Sequence, residues 1–318
     1  MKNQLIALAC LVASSPVWCD FLYVSNMLDN EVTVVDTATG STISTIATSG
    51  APKGLTMGSG QGLDFYVAVP GAHHISLGDT SSNTLISDVA VGIAPSASTL
   101  SLDGNFLYVT DAVANAVSVV DLSLGAVSAS IDVGVSTNAI ARSPDGSHVY
   151  VTSLASSKVF AIDTATNTVS AVIPVASSPR SICITPDGKQ AYVACFMAGV
   201  VSVVNLETNK VVASIAIDYN PTALALSADG STLFVANKLK GLGTGGEVCV
   251  VDTASHALLK KIPVGRTPIS MVFSGDGTLL YVANANDNNI SVIDVGSYSV
   301  GDVFSVGNYP IEITLKAE

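Results

Sequence analysis

The carboxylates and histidines that stand outside any regular pattern are the first candidates for acid–base or metal chemistry. His73 and His74 form the only pair of neighbouring histidines in the chain. Adjacent residues of an extended segment point to opposite faces, so the pair is poorly suited to bind one metal ion, and we favour a role in a loop. Asp287 lies in the polar run 284–289, which would suit either a hard cation or a solvated turn, and we favour the turn.

An enzyme of the lactonase or lyase type would need acids and bases that converge at one place. Few carboxylates and histidines are available for such a set on the loops or near the axis of the expected fold. They are Asp29, Asp111, Asp287, His73 and Glu312. His256 falls at a turn position where a left-handed backbone is tolerated, and His148 begins a strand, so neither is expected to act as a base.

Motifs that bind cofactors are nearly missing from the sequence. Residues 241–246 match a GxGxxG string, but such a string binds phosphate at the start of a helix, and here a strand pattern follows. The sequence contains no haem-attachment motif, no Gly-x-Ser-x-Gly and no His-Glu-x-x-His. We therefore expect no cofactor and no metal site.

The candidate residues named above belong to a unit of about 42 residues that the chain repeats seven times, and this unit must position them. Three independent registers keep one period, which indicates a repeat array. The aromatic register reads Tyr23, Tyr66, Tyr108, Tyr150, Tyr192, Phe234 and Tyr281. The acidic register reads Asp36, Asp79, Asp121, Asp163, Asn205, Asp252 and Asp294. The third reads Pro52, Pro95, Thr137, Pro179, Pro221, Pro268 and Pro310.

Each unit carries four short runs rich in Val, Ile, Thr and Tyr, which are typical of half-buried strands. We name them a, b, c and d, as in residues 179–185, 190–194, 158–163 and 169–175. Asp-Gly pairs such as Asp145 and Gly146 predict a tight a–b turn, and Asn or Gly, as at Asn167, predicts the c–d turn. Four antiparallel strands at this spacing predict a blade of an all-β propeller, and seven units predict seven blades.

Small residues and prolines predict the order of strands within a blade. Strand a has small residues at alternate positions, as at Gly54, and we expect it to lie nearest the axis. Strand d carries Pro174 and Pro263, which favours an outer edge because proline donates no hydrogen bond to a ladder. The first unit lacks strand a, whereas residues 310–316 form a strand a without a unit. We expect 310–316 to pair beside 21–25 and close the ring.

Four short motifs recur over essentially the whole chain after residue 19. They are Tyr/Phe-Val-Ser/Ala-Asn at 23–26, 234–237 and 281–284, Val/Ile-Ser-Val-Val/Ile-Asp at 117–121 and 290–294, Asp-Thr-Ala-Thr at 36–39 and 163–166, and Ile-Pro-Val-Gly at 262–265. The unit they define resembles the YVTN-type β-propeller repeat family. This resemblance implies a seven-bladed propeller that is secreted, periplasmic or on a cell surface. Members of the family differ in function, so the resemblance implies little chemistry.

Residues 1–19 are predicted to be a secretory signal peptide, and residues 20–318 the propeller domain. The segment starts with Lys2, continues with an apolar run over 5–13 and ends in small residues before Cys19. A bilayer span needs about 20 apolar residues, so we expect no transmembrane segment in the mature chain. A lipoprotein signal ending at Cys10 is the alternative. We therefore expect an exported protein, in the periplasm, outside the cell or on its surface.

Three cysteines remain after the predicted signal. Cys183 belongs to a strand a, Cys195 follows strand b of the same unit, and Cys249 belongs to a strand c of the next unit. None of the three pairings suits the Cα separation of about 4–7 Å that a disulfide requires. We predict three unpaired, mostly buried thiols.

Charge is distributed unevenly on a chain whose net charge is −12. Most aspartates lie on the a–b and c–d turns, which share one face of the ring, here the bottom face. The b–c loops and the d–a crossings share the other face, here the top face. The basic residues of the top face are Lys53, Lys158, Arg180, Lys238, Lys240 and Arg266. They predict either a modest positive patch near the channel mouth or scattered solubilising charges.

The function favoured by these patterns is a non-enzymatic exported propeller that binds another protein or an envelope component through its top-face loops. Interface centres favour aromatic residues and Met, and Phe196 and Met197 adjoin the enlarged loop of the sixth unit. The candidate contact residues are Phe196, Met197, Lys238, Lys240, Arg180, Arg266 and Lys53. A lactonase- or lyase-type enzyme is one alternative. A propeller that binds an anionic polymer or nucleic acid is another, although the negative net charge disfavours nucleic acid.

Overall fold

The repeats fold as a closed ring of seven sheets. The computed structural model describes residues 20–58, 64–218, 220–238 and 245–316. These residues form seven four-stranded antiparallel sheets and a short 3-10 helix at Pro70–Ala72. The inner strand of each sheet contacts the inner strand of the next, and the seventh contacts the first. The predicted seven-bladed β-propeller is confirmed.

Each blade has the strand order a-b-c-d from the axis outward, and blade one takes its inner strand from residues 310–316. The inner strands of blades one to seven are β28 (Pro310–Lys316), β4 (Leu55–Met57), β8 (Pro95–Leu100), β12 (Thr137–Arg142), β16 (Pro179–Ile184), β20 (Asn220–Leu226) and β24 (Pro268–Phe273). The second strands are β1 (Phe21–Asn26), β5 (Phe65–Val69), β9 (Phe106–Asp111), β13 (His148–Ser153), β17 (Gln190–Cys195), β21 (Thr232–Lys238) and β25 (Leu279–Asn284). The third strands are β2 (Glu31–Asp36), β6 (His74–Asp79), β10 (Ala116–Asp121), β14 (Lys158–Asp163), β18 (Val200–Asn205), β22 (Gly246–Asp252) and β26 (Asn289–Asp294). The outer strands are β3 (Ser41–Ala47), β7 (Thr84–Ala90), β11 (Ala126–Asp132), β15 (Thr168–Pro174), β19 (Lys210–Ala216), β23 (Leu258–Val264) and β27 (Ser299–Ser305).

The core lies between adjacent blades. The second and third strands are buried almost throughout, because each of their faces is covered by a neighbouring blade. The outer strand β11 is mostly exposed and reaches the core with Ile131. Pro174 and Pro263 lie in outer strands, as predicted. Burying one large apolar side chain stabilises a fold by about 1.5–3 kcal/mol, so packing between blades supports the ring.

The recurring aspartates stabilise turns. In the a–b turn of blade four, Asp145 accepts hydrogen bonds from the Ser143 hydroxyl at 2.6 Å and from the Ser147 amide at 3.1 Å. These donors lower the pKa of Asp145 to about 2. Gly146 supplies the positive φ of this turn, 73°. The acidic register is therefore structural rather than catalytic.

The ring closes without a covalent bond between its ends. β28 pairs antiparallel with β1, so that Leu315 lies opposite Leu22 and Ile313 opposite Val24. Ile313 is 4% exposed and packs with Leu22, Val24 and Tyr281 of blade seven. The predicted closure of 310–316 beside 21–25 is confirmed.

All three cysteines in the described residues are free thiols, as predicted. Cys195 and Cys249 are buried, and Cys183 is partly buried. Burial raises the pKa of the Cys183 and Cys249 thiols to about 12. Thiols with such a pKa are poor nucleophiles at neutral pH.

Two predictions fall on residues that the structure does not describe. The predicted signal peptide, 1–19, and Lys240 both lie outside the described ranges. Within those ranges, no helix has the length and the apolar character that crossing a bilayer requires.

Candidate active site in the central channel

A cavity of about 580 Å³ occupies the centre of the ring near the top face, and we call it the central channel. It lies between the first residues of six inner strands and residues 53–54, which lead into β4 of blade two. The upper layer of its lining consists of Lys53, Ser96, Asn138, Arg180, Thr222, Ile269 and Ile311. The next residue of each blade forms the lower layer, which consists of Gly54, Ala97, Ala139, Ser181, Ala223, Ser270 and Glu312.

Glu312 is the exception in the lower layer. The other six blades carry Gly, Ala or Ser there, because the inner strands converge on the axis. A Cβ atom at Gly54 would collide with the backbone carbonyl of Ser96 in the next blade. Packing therefore selects small side chains in this layer, and a single carboxylate among them has no packing role. Such a group in a cavity is a candidate for function.

Glu312 is held by a serine from the neighbouring blade. The Ser270 hydroxyl of blade seven donates to Glu312 Oε1 at 2.6 Å, and the Ser270 oxygen accepts from the Ile313 amide at 3.2 Å. Burial raises the pKa of Glu312 to about 7, against the smaller opposing effects of the Ser270 hydrogen bond and the Lys53 charge. A carboxyl group with this pKa exchanges a proton readily near neutral pH.

Ser25 fixes the backbone on both sides of this carboxylate. Its hydroxyl lies 3.2 Å from the Lys53 carbonyl oxygen and 3.3 Å from the Glu312 carbonyl oxygen. The Ser25 hydroxyl oxygen also accepts a hydrogen bond from the Glu312 amide at 3.2 Å. Ser25 is fully buried in β1, so the inner strands of blades one and two are held in register at the site.

Two cations of the upper layer accompany the carboxylate. Burial lowers the pKa of the Lys53 ammonium group, and the Arg180 charge lowers it further, whereas Glu312 raises it. Arg180 comes from blade five, and its guanidinium lies 4.1 Å from the centre of the Phe196 ring. Asn138 of blade four donates to the Arg180 carbonyl oxygen at 2.6 Å. Stacking on an aromatic ring fixes the orientation of a guanidinium group.

The channel therefore combines a titratable base with positive charge. A carboxylate with a pKa near 7 can remove a proton from water, and nearby cations can stabilise an oxyanion or bind an anionic substrate. Among the described residues, no three His, Cys, Asp or Glu side chains are grouped as the ligands of a metal ion would be.

The other four candidates for acid–base chemistry support the top-face loops instead. Asp29 accepts from the Asn308 amide at 2.6 Å, and Asp287 accepts from the Arg266 amide at 2.6 Å. Asp111 is 2% exposed and accepts from the backbone amides of residues 93, 94, 113 and 114. His73 has a left-handed backbone, φ 61°, and its ring contacts a backbone carbonyl. Of the five candidates, the structure brings only Glu312 into the channel.

Four of the seven residues predicted to contact a partner belong to the lining of one cavity. Lys53, Arg180, Phe196 and Lys238 line the central channel. Phe196 is partly buried against Arg180 rather than exposed. Of the other three residues, Met197 is 71% exposed, and Arg266 forms an ion pair with Asp287 at 2.5 Å. Lys240 lies outside the residues that the structure describes.

The sequence placed Glu312 near the channel but did not single it out, and it placed Ser270 on the innermost strand without indicating its hydrogen bond to Glu312. Asn138 and Tyr309 were missed as channel residues. One signal was available for Glu312. The register of small residues in strand a runs through six blades and is broken at this position alone. No local motif marks Ser270, because serine is also an acceptable small residue there.

Comparisons with known proteins agree with this fold. A family model described as "Lactonase, 7-bladed beta-propeller" matches residues 139–300, about half of the chain. The match includes Arg180 and Ser270 and ends before Glu312. No curated protein matches the chain in sequence.

Solved structures with the same fold have different activities. The Pseudomonas aeruginosa periplasmic gluconolactonase is 25% identical with a TM-score of 0.76, over 93% of this chain and 98% of that one. A Bacteroides uniformis protein solved as a candidate 6-phosphogluconolactonase is 17% identical with a TM-score of 0.78, over 94% and 100%. Kuenenia stuttgartiensis hydrazine synthase is 20% identical with a TM-score of 0.76, over 84% and 95%. The two lower identities support the fold alone.

These findings correct the expectation of a non-enzymatic binding protein, which is wrong. The family match and the gluconolactonase structure favour the lactonase alternative. The physical reason for the error is that the repeat motifs are turn and core residues. They specify the blade, whereas the chemistry depends on single departures from the pattern, such as Glu312.

Proposed function

Because the chain belongs to the seven-bladed β-propeller lactonase family, we propose that it hydrolyses a lactone in the central channel with Glu312 as the general base. The observation that carries this assignment is the single carboxylate in a layer of small residues, with a pKa of about 7. The base is supplied by blade one, its hydrogen-bond donor Ser270 by blade seven, and the cation Lys53 by blade two. These three blades are consecutive in the closed ring.

In the proposed reaction, the Glu312 carboxylate removes a proton from a water molecule while the water oxygen attacks the lactone carbonyl carbon. Negative charge then develops on the carbonyl oxygen, where the Lys53 ammonium group stabilises it. Collapse of the tetrahedral intermediate breaks the ring C–O bond, and the leaving alkoxide takes the proton from Glu312. The product is a hydroxy acid that ionises in water, and Glu312 is again a carboxylate.

The positive charge of the channel suggests an acidic or polyhydroxylated sugar lactone as substrate. Arg180 and Lys53 line the upper layer on different blades, so both meet a ligand that enters from the top face. Guanidinium groups bind carboxylate and phosphate through two parallel hydrogen bonds. The name of the Pseudomonas aeruginosa gluconolactonase agrees with this class.

Export to the periplasm is part of the same proposal. The predicted signal at 1–19 supports it, and so does the periplasmic location in the name of the Pseudomonas aeruginosa protein. The resemblance of the repeat to the YVTN-type family, which implies an exported propeller, supports it as well. The site of cleavage is checked by N-terminal sequencing of protein recovered from the periplasm, which should begin at Asp20.

The test is hydrolysis of δ-gluconolactone and 6-phosphogluconolactone by the purified protein, followed against spontaneous hydrolysis at pH 7.5. We expect acceleration of at least one lactone, and a loss of about 100-fold or more in kcat/KM for Glu312→Gln, since removing a general base costs about 10²–10⁴. Glu207→Gln, on the bottom face, is the matched control. Absence of acceleration with both lactones, or full activity of Glu312→Gln, would contradict the proposal.

A further inference from the structure

A second cavity, of about 720 Å³, opens on the bottom face between blades four and five. Its walls are the a–b turns of both blades and the c–d turn of blade five, so it lies on the side of the ring opposite the mouth of the central channel. Ligand sites commonly have volumes of about 300–1,000 Å³. A single water molecule needs only about 10–15 Å³, so the cavity has room for much more than one water.

One small residue distinguishes blade four, where this cavity lies, from the other blades. Ala161 of β14 lies directly opposite Tyr150 of β13 and lines the cavity. The aromatic residue of every other blade lies opposite a larger aliphatic side chain. These partners are Val34, Leu77, Val119, Val203, Val250 and Val292. Blade four therefore carries an alanine, Ala161, at the core position where the other six blades carry Val or Leu.

A hydrogen bond between blades is also missing at this junction. In the array, three tyrosines face an asparagine in the c–d turn of the next blade. Tyr23 donates to Asn83 Oδ1 at 2.7 Å, and Tyr108 donates to Asn167 Oδ1 at 3.2 Å. The third pair is Tyr150 and Asn209, both of which line the cavity.

At the third pair the two groups remain apart. Tyr150 is 5% exposed, against 1% for Tyr23 and 2% for Tyr108. The buried Asn209 Oδ1 has no hydrogen-bond partner among the described residues, and the Tyr150 hydroxyl forms no hydrogen bond with them either. The Tyr150 ring instead stacks on His148, with ring centres 6.0 Å apart. A buried polar group without a partner is costly, so this junction leaves an unused donor and an unused acceptor in two residues that line one cavity.

The chemistry of the walls limits the ligand. The hydroxyl of Tyr150 can donate and the amide oxygen of Asn209 can only accept, and a ligand hydroxyl group satisfies both. Pro144, Pro186 and Leu206 supply apolar surface for C–H groups. Asp145, Asp187 and Glu207 outnumber the cation Lys189, which itself lies 4.0 Å from Asp187. An anionic ligand is therefore repelled.

We propose that this cavity is a binding site for a neutral polyhydroxylated ligand, a sugar or a cyclic polyol, held between Tyr150 and Asn209. The site carries no base comparable with Glu312 and lies on the opposite face, so it is a non-catalytic site. It does not depend on lactone hydrolysis in the channel. In a protein that acts on sugar lactones, such a site would retain the protein on a glycan or respond to sugar concentration.

The test uses D-glucose and myo-inositol as probes, with D-gluconate as the anionic comparison, in saturation-transfer NMR on the purified protein. We expect saturable binding of at least one neutral probe at millimolar concentration, and gluconate, which the channel can bind as a reaction product, should not displace that probe. Tyr150→Phe removes the donor, and Ala161→Val restores the side chain found in five other blades. Each should reduce the signal at least fivefold, whereas Tyr108→Phe, at a junction where the bond is formed, should retain it.

Thermal melting and activity separate this proposal from misfolding and from channel binding. Ala161→Val fills space, so its melting temperature should equal or exceed that of the unchanged protein, and its lactone hydrolysis should stay the same. A signal that survives Ala161→Val and Tyr150→Phe but is lost in Lys53→Met would place the sugar in the channel and overturn the inference. Absence of saturable transfer from both neutral probes would overturn it as well.

Discussion

The hydroxyl of Ser270 donates to Glu312 Oε1 across 2.6 Å, and the two residues come from different blades. They occupy the same register of adjacent inner strands, blade seven and blade one. Burial raises the pKa of the carboxyl group, whereas this hydrogen bond lowers it. The pKa of about 7 is the net result of burial and of the opposing effects of this hydrogen bond, the Ile313 amide and the Lys53 charge, so Ser270 is a positioning residue that also adjusts the proposed base.

Substituting Ser270 by alanine should move the acid limb of the activity profile to higher pH. Loss of the hydrogen bond removes a contribution that lowers the pKa of Glu312, so a larger fraction of the base is protonated at pH 7. We expect lower kcat/KM at pH 7 and partial recovery at pH 8.5. Ser181→Ala is the matched control, because Ser181 occupies the same register in blade five and its hydroxyl oxygen accepts from Leu224 instead. An unmoved acid limb in Ser270→Ala would contradict the role.

Stability should fall as pH rises through the range of Glu312. The folded-state pKa of about 7 exceeds the usual value of 4.5, so the native state binds more protons between these values and loses relative stability on ionisation. The difference corresponds to on the order of 3 kcal/mol, since one pKa unit is about 1.4 kcal/mol. Glu312→Gln should remove this slope and be the more stable protein at pH 8. Urea unfolding at pH 4.5, 6 and 8 measures the difference, and parallel curves for the two proteins would contradict the raised pKa.

Removing the charge of Lys53 should change both the binding of substrate and the pKa of Glu312. Lys53 lowers the pKa of Glu312, so Lys53→Met should raise that pKa and shift the acid limb upward. It should also raise KM more for 6-phosphogluconolactone than for δ-gluconolactone, because only the former carries a phosphate. Lys158→Met, on the top face but outside the channel, is the control. Equal changes of KM for both lactones would indicate that Lys53 does not bind the anionic group.

Loosening the closing strand should destabilise the whole ring. Ile313→Ala removes a 4% exposed side chain from the core shared by blades one and seven, and such truncations cost about 2–5 kcal/mol. Ile43→Ala on the outer strand β3, where the side chain is 49% exposed, should cost less than about 0.5 kcal/mol. Chemical unfolding of both variants measures the two costs. Comparable losses would show that the β28–β1 seam does not limit stability.

The fold was predictable to the level of strand order because a repeat multiplies weak signals. Each Asp-Gly turn alone is ambiguous, but the same turn at a constant spacing is not, and Pro174 and Pro263 identified the outer strand correctly. Closure followed from counting strands: the first unit had no strand a, and residues 310–316 supplied it.

The candidate active site was less predictable because it depends on distances that sequence patterns do not contain. Asp29, Asp111 and Asp287 departed from the pattern as clearly as Glu312 did, yet each supports a loop through backbone amides. Ser270 and Glu312 are 42 residues apart and meet only because neighbouring blades repeat the same register. Phe196 was expected on the surface, and its contact with Arg180 depends on the path of a loop.

The strand that closes the ring is also the strand that carries Glu312. In the proposed mechanism, an intermediate in which β28 has not docked lacks the general base and should be inactive, whether the chain is still being made, still being exported as proposed or cut before Pro310. A protein divided just before this strand should regain activity when a peptide containing 310–316 is supplied. The measured activity would then report the fraction of molecules in which the ring is complete.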